Sequence, residues 1–279
     1  MNRTGFQVSV AGQKLHGWVY PVQNPVASVI VVHGMGEYGR RYERSVIPRL
    51  LDNAIGVISY DQFGHGQNSG KKGHHPGYEY LLDSIDLMIE LAEQHFSESP
   101  KFLYGHSMGG NVALNYALSR PGKLSGLVVT SPFLRLAFEP PAWKMAAGKL
   151  LYRIWPSVTM SNEVDPESLS RIEEEVEAYR RDLLVHDRVS PAYSIEIMKK
   201  GEWAIRNAGN LKVPLLLIHG SADQLTDFKA SRDFAENAGE QAEFVLIDGG
   251  FHELHHDLDR NAVLEKAVNW IDEKSQRGR

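Results

Sequence analysis

The stretch Lys101-Phe102-Leu103-Tyr104-Gly105-His106-Ser107-Met108-Gly109-Gly110-Asn111-Val112-Ala113 decides how this chain is read. It joins an apolar run to a helix-like segment, Asn111 to Leu118, through the pattern G-x-S-x-G. A pattern this short occurs by chance. It gains meaning when a strand enters it and a helix leaves it, because the serine must then occupy a sharp, strained turn. Flanking glycines let backbones approach closely and let φ turn positive. Such a turn lifts the Ser107 hydroxyl above the sheet edge and sets the Met108 amide at a helix N-terminus. Partial positive charge there suits a developing oxyanion. A serine-capped strand-to-helix turn of no chemical interest reads the same over the pentapeptide alone, so the rest of the chain must decide.

Outward from this stretch, apolar runs of strand length alternate with segments of helical period. Phe6 to Val22 reads as a hairpin with its turn at Ala11-Gly12-Gln13. Ser28 to Val32 is β-branched and apolar on both faces, as a strand buried on both sides of a parallel sheet must be. Gly56–Tyr60, Lys101–Tyr104, Leu127–Val129, Leu215–Ile218 and Phe244–Ile247 repeat the pattern. Helices are expected over Arg41–Asn53, Tyr78–His95, Met108–Ser119, Asp227–Ala238 and Leu258–Lys274. This alternation predicts a mostly parallel, doubly wound α/β sheet with helices on both faces. In such sheets ligands bind beyond the C-terminal ends of the strands. Residues 133–203 break the rhythm and read as a helical cap inserted into a core of residues 1–132 and 204–279. A short charged tail, Lys274 to Arg279, closes the chain.

Size and charge remove several classes. A chain of 279 residues accommodates one large domain or one domain with an insertion. With a net charge of −5 there is no basic field to hold nucleic acid. The absence of cysteine excludes disulfides, thiolate metal sites and a thiol nucleophile. Met1 to Val10 lacks the pattern of a secretory leader, and no apolar run approaches the roughly 20 residues that span a bilayer. Cytoplasmic residence, with peripheral membrane contact at most, is the expectation.

The unusual residues fall just after strands. His33-Gly34-Met35-Gly36 follows Val32, and its glycines allow the loop to bring the Met35 amide toward Ser107. Met35 and Met108 are therefore the expected pair of oxyanion donors. His33 reads as a structural loop histidine, and Asp61 and His65 as loop supports. Asp223 follows the Ile218 strand and is placed to orient a histidine or, more plainly, to cap a turn. His252 follows the Ile247 strand after Gly249-Gly250, in a loop free to swing toward a serine. Ser107, Asp223 and His252 stand in the chain order Ser, acid, His, each after a strand. A serine hydroxyl needs an adjacent base, and that base needs an orienting acid. A rival pattern overlaps: His252, Glu253 and His256 form a literal H-E-x-x-H. Zinc binding requires those residues inside a helix, whereas here glycines and a strand end precede them, so no metal is expected.

Taken together, His33-Gly34-Met35-Gly36-Glu37, Arg41-Tyr42, the Asp61/Gly64-His65-Gly66/Ser69-Gly70 block, Gly105 to Gly110, Gly220-Ser221-Ala222-Asp223 and Phe251 to His255 resemble the monoacylglycerol lipases and their lysophospholipase kin among the α/β-hydrolases. The resemblance covers nearly the whole chain and is weakest over residues 133–182. It implies an α/β-hydrolase fold with a helical cap and a cofactor-free serine hydrolase that releases a fatty acid from a monoacylglycerol. It carries the nucleophile, acid and base onto Ser107, Asp223 and His252, and the oxyanion donors onto Met35 and Met108. It also implies a polar pocket for the glycerol end at Glu37, Arg41, Tyr179 and His255. Tyr38 stands where the family usually has histidine, and Leu183 where it has proline after Tyr179-Arg180-Arg181-Asp182. Glu37 and Arg41 read equally as a structural ion pair.

In the cap, Trp143, Ala146, Ala147, Leu150, Leu151 and Ile154 recur at helical spacing, with Lys144, Lys149 and Arg153 off the stripe. That face either packs on the core or, with Trp155, touches a lipid interface. A lysophospholipase, a broad carboxylesterase and a non-catalytic binding protein of the same fold remain open alternatives. Oligomeric state is not legible.

Overall fold

The computed structural model describes residues 1–277. The hairpin of β1 (Thr4–Val10) and β2 (Gln13–Tyr20) leads into β3 (Ala27–Val32), α1 (Val46–Leu51), β4 (Ile55–Tyr60), α2 (Tyr78–His95), β5 (Lys101–His106), α3 (Met108–Ser119) and β6 (Gly126–Thr130). An excursion follows, holding α4 (Ala142–Ile154), β7 (Met160–Ser161), α5 (Glu173–Arg181), β8 (Arg188–Val189) and α6 (Pro191–Asn207). The chain closes with β9 (Leu215–Gly220), α7 (Phe228–Ala238), β10 (Ala242–Ile247) and α8 (Arg260–Arg277). Of the charged tail, residues 278–279 lie outside the described residues, and Lys274 to Gln276 belong to α8.

One eight-stranded sheet runs in the order β1-β2-β4-β3-β5-β6-β9-β10. The pairs β1·β2 and β2·β4 are antiparallel, and every other pair in this sheet is parallel. Its residues alternate as the period of a strand requires. Ile30, Val32, Ile58, Leu103, Val129 and Leu217 join α2, α3, α6 and α7 in one core. Val29, Val31, Val57, Phe102, Val128 and Leu216 join α1 and α8 in the other. Burying each such side chain contributes about 1.5–3 kcal/mol, which fixes strand register on both faces at once. With β3, β5, β6 and β9 adjacent and parallel, the loops carrying Gly34, Ser107, Ser131 and Asp223 open at one edge.

Two expectations are corrected. The helix expected over Arg41–Asn53 is a 3-10 turn, Gly39–Arg44, then a break at Ser45 (φ −147°), then α1. Pro48 explains the late start, since proline is tolerated in the first turn of a helix but not in its interior. The cap boundary expected at residue 203 falls inside α6, whose Ser190 N-cap accepts from Tyr193 N and which runs unbroken to Asn207. α6 packs its Tyr193, Ile197, Ala204 and Ile205 into the same core as α3.

α4 turns its apolar stripe outward: it has no buried residue, and Trp143 (69%), Leu150 (57%), Ile154 (68%) and the following Trp155 (58%) are exposed. The opposite face meets the protein. Met145 reaches the cavity described below, and the Tyr152 hydroxyl donates to Glu196 at 2.8 Å. Among the described residues no helix is long and apolar enough to cross a membrane.

Candidate active site

Ser107 occupies the turn between β5 and α3 with φ 53° and ψ −118°, a left-handed backbone that few non-glycine residues adopt. Such strain costs of order 1–3 kcal/mol and persists only where the surroundings enforce it. Here they do. Ser107 N donates to Thr130 O at 3.0 Å, and Ser107 O accepts from Asn111 N (3.0 Å) and Phe133 N (2.9 Å). The flanking glycines are steric necessities. A Cβ at residue 105 would stand 2.8 Å from Gly109 O, and one at residue 109 would stand 2.0 Å from Val32 O.

Three side chains from distant parts of the chain meet at this turn. His252 Nε2 lies 2.9 Å from Ser107 Oγ, across 145 residues of sequence, and His252 Nδ1 lies 2.7 Å from Asp223 Oδ2. Asp223 accepts further hydrogen bonds from Leu225 N (2.8 Å) and Thr226 N (3.0 Å) at Oδ1, and from Thr226 Oγ1 (2.8 Å) at Oδ2. His219 Nε2 also faces Oδ2 at 3.1 Å, while Ser231 Oγ sits 2.8 Å from His219 Nδ1. These contacts fix the tautomers: Nδ1–H of His252 and Nε2–H of His219 donate to the acid, leaving Nε2 of His252 to accept from the serine. Burial opposes charge on Asp223, but the two imidazoles and their hydrogen bonds outweigh it and hold the carboxyl well below its ordinary range. Burial likewise opposes charge on His252, yet the Asp223 carboxylate wins and raises its pKa above 6.5. A hydroxyl, a base and an ionised acid in this line can pass the serine proton to the imidazole as the serine attacks a carbonyl.

The Met35 and Met108 amides are both uncommitted: neither donates to a protein acceptor among the described residues. Met108 opens the 12-residue α3, so its N–H carries the helix-end partial charge. Met35 sits in the loop after β3 and lines the same cavity as Ser107.

That cavity holds about 330 Å³ and runs from Ser107 and His252 under the inserted helices. Phe133, Leu136, Met145, Ile197, Met198 and Leu225 are apolar lining; Glu37, Glu253 and Tyr179, gathered around Arg41, form a polar cluster, and Lys144, Asn162 and Glu163 also line the cavity. A second recess, of about 530 Å³, lies at the other end of the strands near Ser125 and Trp270.

The polar-pocket residues expected from the resemblance divide. Glu37 and Tyr179 line the cavity; Arg41 and His255 do not. Arg41, 3% exposed, sits behind Glu37 (3.1 Å) and grips Glu253 with two bonds of 2.6 and 2.7 Å, while the Tyr179 ring covers its guanidinium at 5.0 Å. The ion-pair reading is therefore the one its contacts fit. Glu37 Oε1 accepts from Gly34 N (2.6 Å) and the Tyr42 hydroxyl (2.8 Å), which braces the loop bearing Met35. Burial pushes Glu37 above the ordinary carboxyl range despite Arg41, whereas at Glu253 burial is outweighed by Arg41 and the pKa falls well below it. His255 is fully buried, stacked on Tyr42 at 4.9 Å and edge-on to His106 at 4.7 Å. Burial and the neighbouring histidines drive its pKa far down.

His33 is a loop support, accepting from Gln62 N at 2.9 Å. Asp61 also supports its loop, accepting from Gly39 N and Gln67 N. The H-E-x-x-H residues straddle a turn and the 3-10 helix Leu254–His256, with Glu253 committed to Arg41 and His252 to Ser107 and Asp223. Sequence reasoning missed Glu253 at the cavity, and His219 and Thr226 on the acid. The pattern His219-Gly220-Ser221-Ala222-Asp223 held that signal, since a histidine ending a strand four residues before the acid can curl back onto it.

Residues 23–259 match the Hydrolase_4 family, described as serine aminopeptidase, S33. An uncharacterised abhydrolase domain-containing protein of Dictyostelium discoideum is 35% identical over 93% of this chain, which spans 28% of that protein's length. The monoglyceride lipase of Rattus norvegicus is 31% identical over 90% of this chain and 84% of its own. The crystal structure of Paleococcus ferrophilus monoacylglycerol lipase superposes with a TM-score of 0.86 at 33% identity, covering 93% of this chain and 99% of that one. The chain belongs to the monoacylglycerol lipase and lysophospholipase family of the α/β-hydrolases, and it is a serine ester hydrolase.

Proposed function

We propose that this enzyme cleaves monoacylglycerols to a fatty acid and glycerol through an acyl-serine intermediate. Ser107 Oγ attacks the ester carbon while its proton passes to His252 Nε2. Asp223 holds the imidazole and stabilises the imidazolium. The carbonyl oxygen becomes an oxyanion facing the Met35 and Met108 amides, where losing one donor costs about 2.7–4 kcal/mol of transition-state stabilisation. Collapse breaks the ester C–O bond, and glycerol leaves with the proton from His252. Water then gives its proton to His252 and attacks the acyl carbon; the acyl–Oγ bond breaks as His252 returns that proton to Ser107, freeing the fatty acid.

One arrangement carries this reading: apolar lining and a polar cluster share one cavity with the same serine. An acyl chain suits the apolar lining. Glu37, Glu253 and Tyr179 suit the hydroxyls of a small neutral alcohol, as hydrogen-bond acceptors and a donor. Arg41, the cation that would favour a phosphodiester head, is spent on two carboxylates. The exposed Trp143, Leu150, Ile154 and Trp155, with Lys149 and Arg153 beside them, are proposed to meet a lipid surface.

The test is turnover of a monoacylglycerol series beside a lysophosphatidylcholine series of matched chains, with Ser107→Ala as the blank. Monoacylglycerols are expected to turn over faster at every chain length. Faster lysophosphatidylcholine turnover would overturn the substrate assignment, and activity surviving in the blank would overturn the mechanism.

A further inference from the structure

The base sits on a loop with little stiffness of its own. His252 follows Gly249 and Gly250, and Gly249 has φ 65°. Yet the backbone on both sides of it is held, and held from the inserted segment. Glu253 N donates to Leu169 O at 2.8 Å. Phe251 N donates to Asp257 Oδ2 at 3.0 Å. Asp257 is fully buried, and its carboxylate is pinned by Arg171 from two directions: the Arg171 N–H reaches Oδ1 at 2.8 Å, and Nε and Nη2 reach Oδ2 at 2.9 and 2.8 Å. The Ser170 hydroxyl donates to His256 O at 2.8 Å. Arg171 also pairs with Asp259 at 2.6 Å and lies over the Phe251 ring at 6.0 Å. Burial opposes charge on Asp257, and the Arg171 fork overcomes it, lowering the pKa. By contrast, the outer part of the insertion is tied by an exposed pair, Lys144 to Glu163 at 2.6 Å.

We propose that Arg171 is a positioning residue for His252: through Asp257 it fixes the Phe251–Glu253 backbone so that the imidazole bridges Ser107 and Asp223. This rests on the assignment of those three residues as the catalytic triad. It gives the insertion two jobs, since residues 169–171 belong mechanically to the base while α4 covers the cavity. An imidazole bonded at 2.9 Å on one side and 2.7 Å on the other has little room to drift. Misplacement by about 1 Å costs on the order of 100-fold in rate. Lysine at 171 keeps the charge but lacks the planar fork that serves Asp257 and Asp259 together.

The experiment compares Arg171→Met, Arg171→Lys, Asp257→Asn and His252→Ala with the wild type on a short soluble p-nitrophenyl ester. Arg181→Ala, on the exposed face of α5 and paired with Glu177, is the control. Readouts are kcat, KM, the melting temperature and the downfield proton resonance of the His252 Nδ1–H bonded to Asp223. Arg171→Met and Arg171→Lys are expected to lower kcat roughly 10- to 100-fold with KM nearly unchanged, and to broaden or abolish that resonance. Arg181→Ala is expected to change neither. Wild-type kcat and an intact resonance in folded Arg171→Met would overturn the proposal, as would a rise in KM alone. Should Arg171→Met fail to fold, Arg171→Lys and Asp257→Asn decide in the same way, because both keep the local volume. If His252→Ala retains wild-type turnover, the triad assignment itself fails, a result separate from any seen at Arg171.

Discussion

Replacing Gly109 with alanine sets two effects of opposite sign against each other. Residue 109 lies in the first turn of α3, where alanine is the better helix former by about 0.5–1 kcal/mol. On propensity alone the variant gains stability. The packing says otherwise: the added Cβ would meet Val32 O, at the end of β3, at 2.0 Å and His33 O, at the start of the Met35 loop, at 2.5 Å, both backbone atoms. Carbon and oxygen do not approach closer than about 3.3 Å without strain. The first turn of α3 must therefore retreat by about 1.3 Å, the difference between that limit and the 2.0 Å found here. Overpacking of this kind costs about 1–3 kcal/mol, which exceeds the propensity gain. The retreat also carries Ser107 and the Met108 amide away from His252 and Met35. A displacement of about 1 Å is worth roughly 100-fold in rate. The expected variant is folded, destabilised in a urea melt, and about 100-fold slower in kcat/KM on a soluble ester, with slowed fluorophosphonate labelling of Ser107. Wild-type kcat/KM, or a higher urea midpoint, would refute the claim that this glycine exists for the approach of β3 to α3.

Activity should fall as pH drops through an acid limb above 6.5, because only neutral His252 accepts the serine proton and Asp223 raises its pKa; a kcat/KM profile with its limb below 6.5 contradicts this. Arg41→Met strands Glu37 and Glu253 as buried carboxylates and should cost about 3–5 kcal/mol in a urea melt. A loss below about 1 kcal/mol would mean the cluster is solvated like a surface pair. Charging the exposed face of α4 with Leu150→Glu and Ile154→Glu should lower turnover of micellar monoacylglycerol severalfold and spare a short soluble ester; equal losses on both remove the lipid-surface role.

What could be read in advance follows from how far each interaction reaches along the chain. The sheet was legible because strands buried on both faces, such as Val29 to Val32, must be apolar throughout. The Ser107 turn was legible because its geometry is local and demands glycine where β3 and β5 crowd it. Asp223 and His252 could be found because parallel strands deliver their ends to one edge. The face of α4 was not legible: an apolar stripe declares that one side is apolar, not what it meets. Glu253 as a partner of Arg41 and Asp257 as a partner of Arg171 were hidden by distance. Glu253 lies 212 residues from the first and Asp257 lies 86 from the second, and a charged residue carries no mark of its partner. The end of the insertion was drawn inside α6 because it was placed by the lack of a buried strand, which does not mark where a helix starts or stops.

The placement of Arg41 bears on selectivity through simple electrostatics. Glu37, Glu253 and Arg41 form a buried group of two acids and one base, so with both carboxylates ionised it carries one net negative charge beside the candidate alcohol end. Burial disfavours that charge and pushes the Glu37 carboxyl above its ordinary range despite Arg41. A glycerol hydroxyl entering this end exchanges its hydrogen bonds with water for a donated bond to a carboxylate. A phosphodiester brings its own negative charge. Against this cluster that charge meets like-charge repulsion, which the Arg41 guanidinium behind the carboxylates offsets only in part. Lys144 near the cavity could relieve a small part of that cost, but it is partly exposed and already paired with Glu163. A site that bound lysophospholipid well would therefore have to free Arg41 from Glu253. That exchange would leave a buried carboxylate unpaired and loosen the residue next to His252, setting head-group binding against alignment of the base.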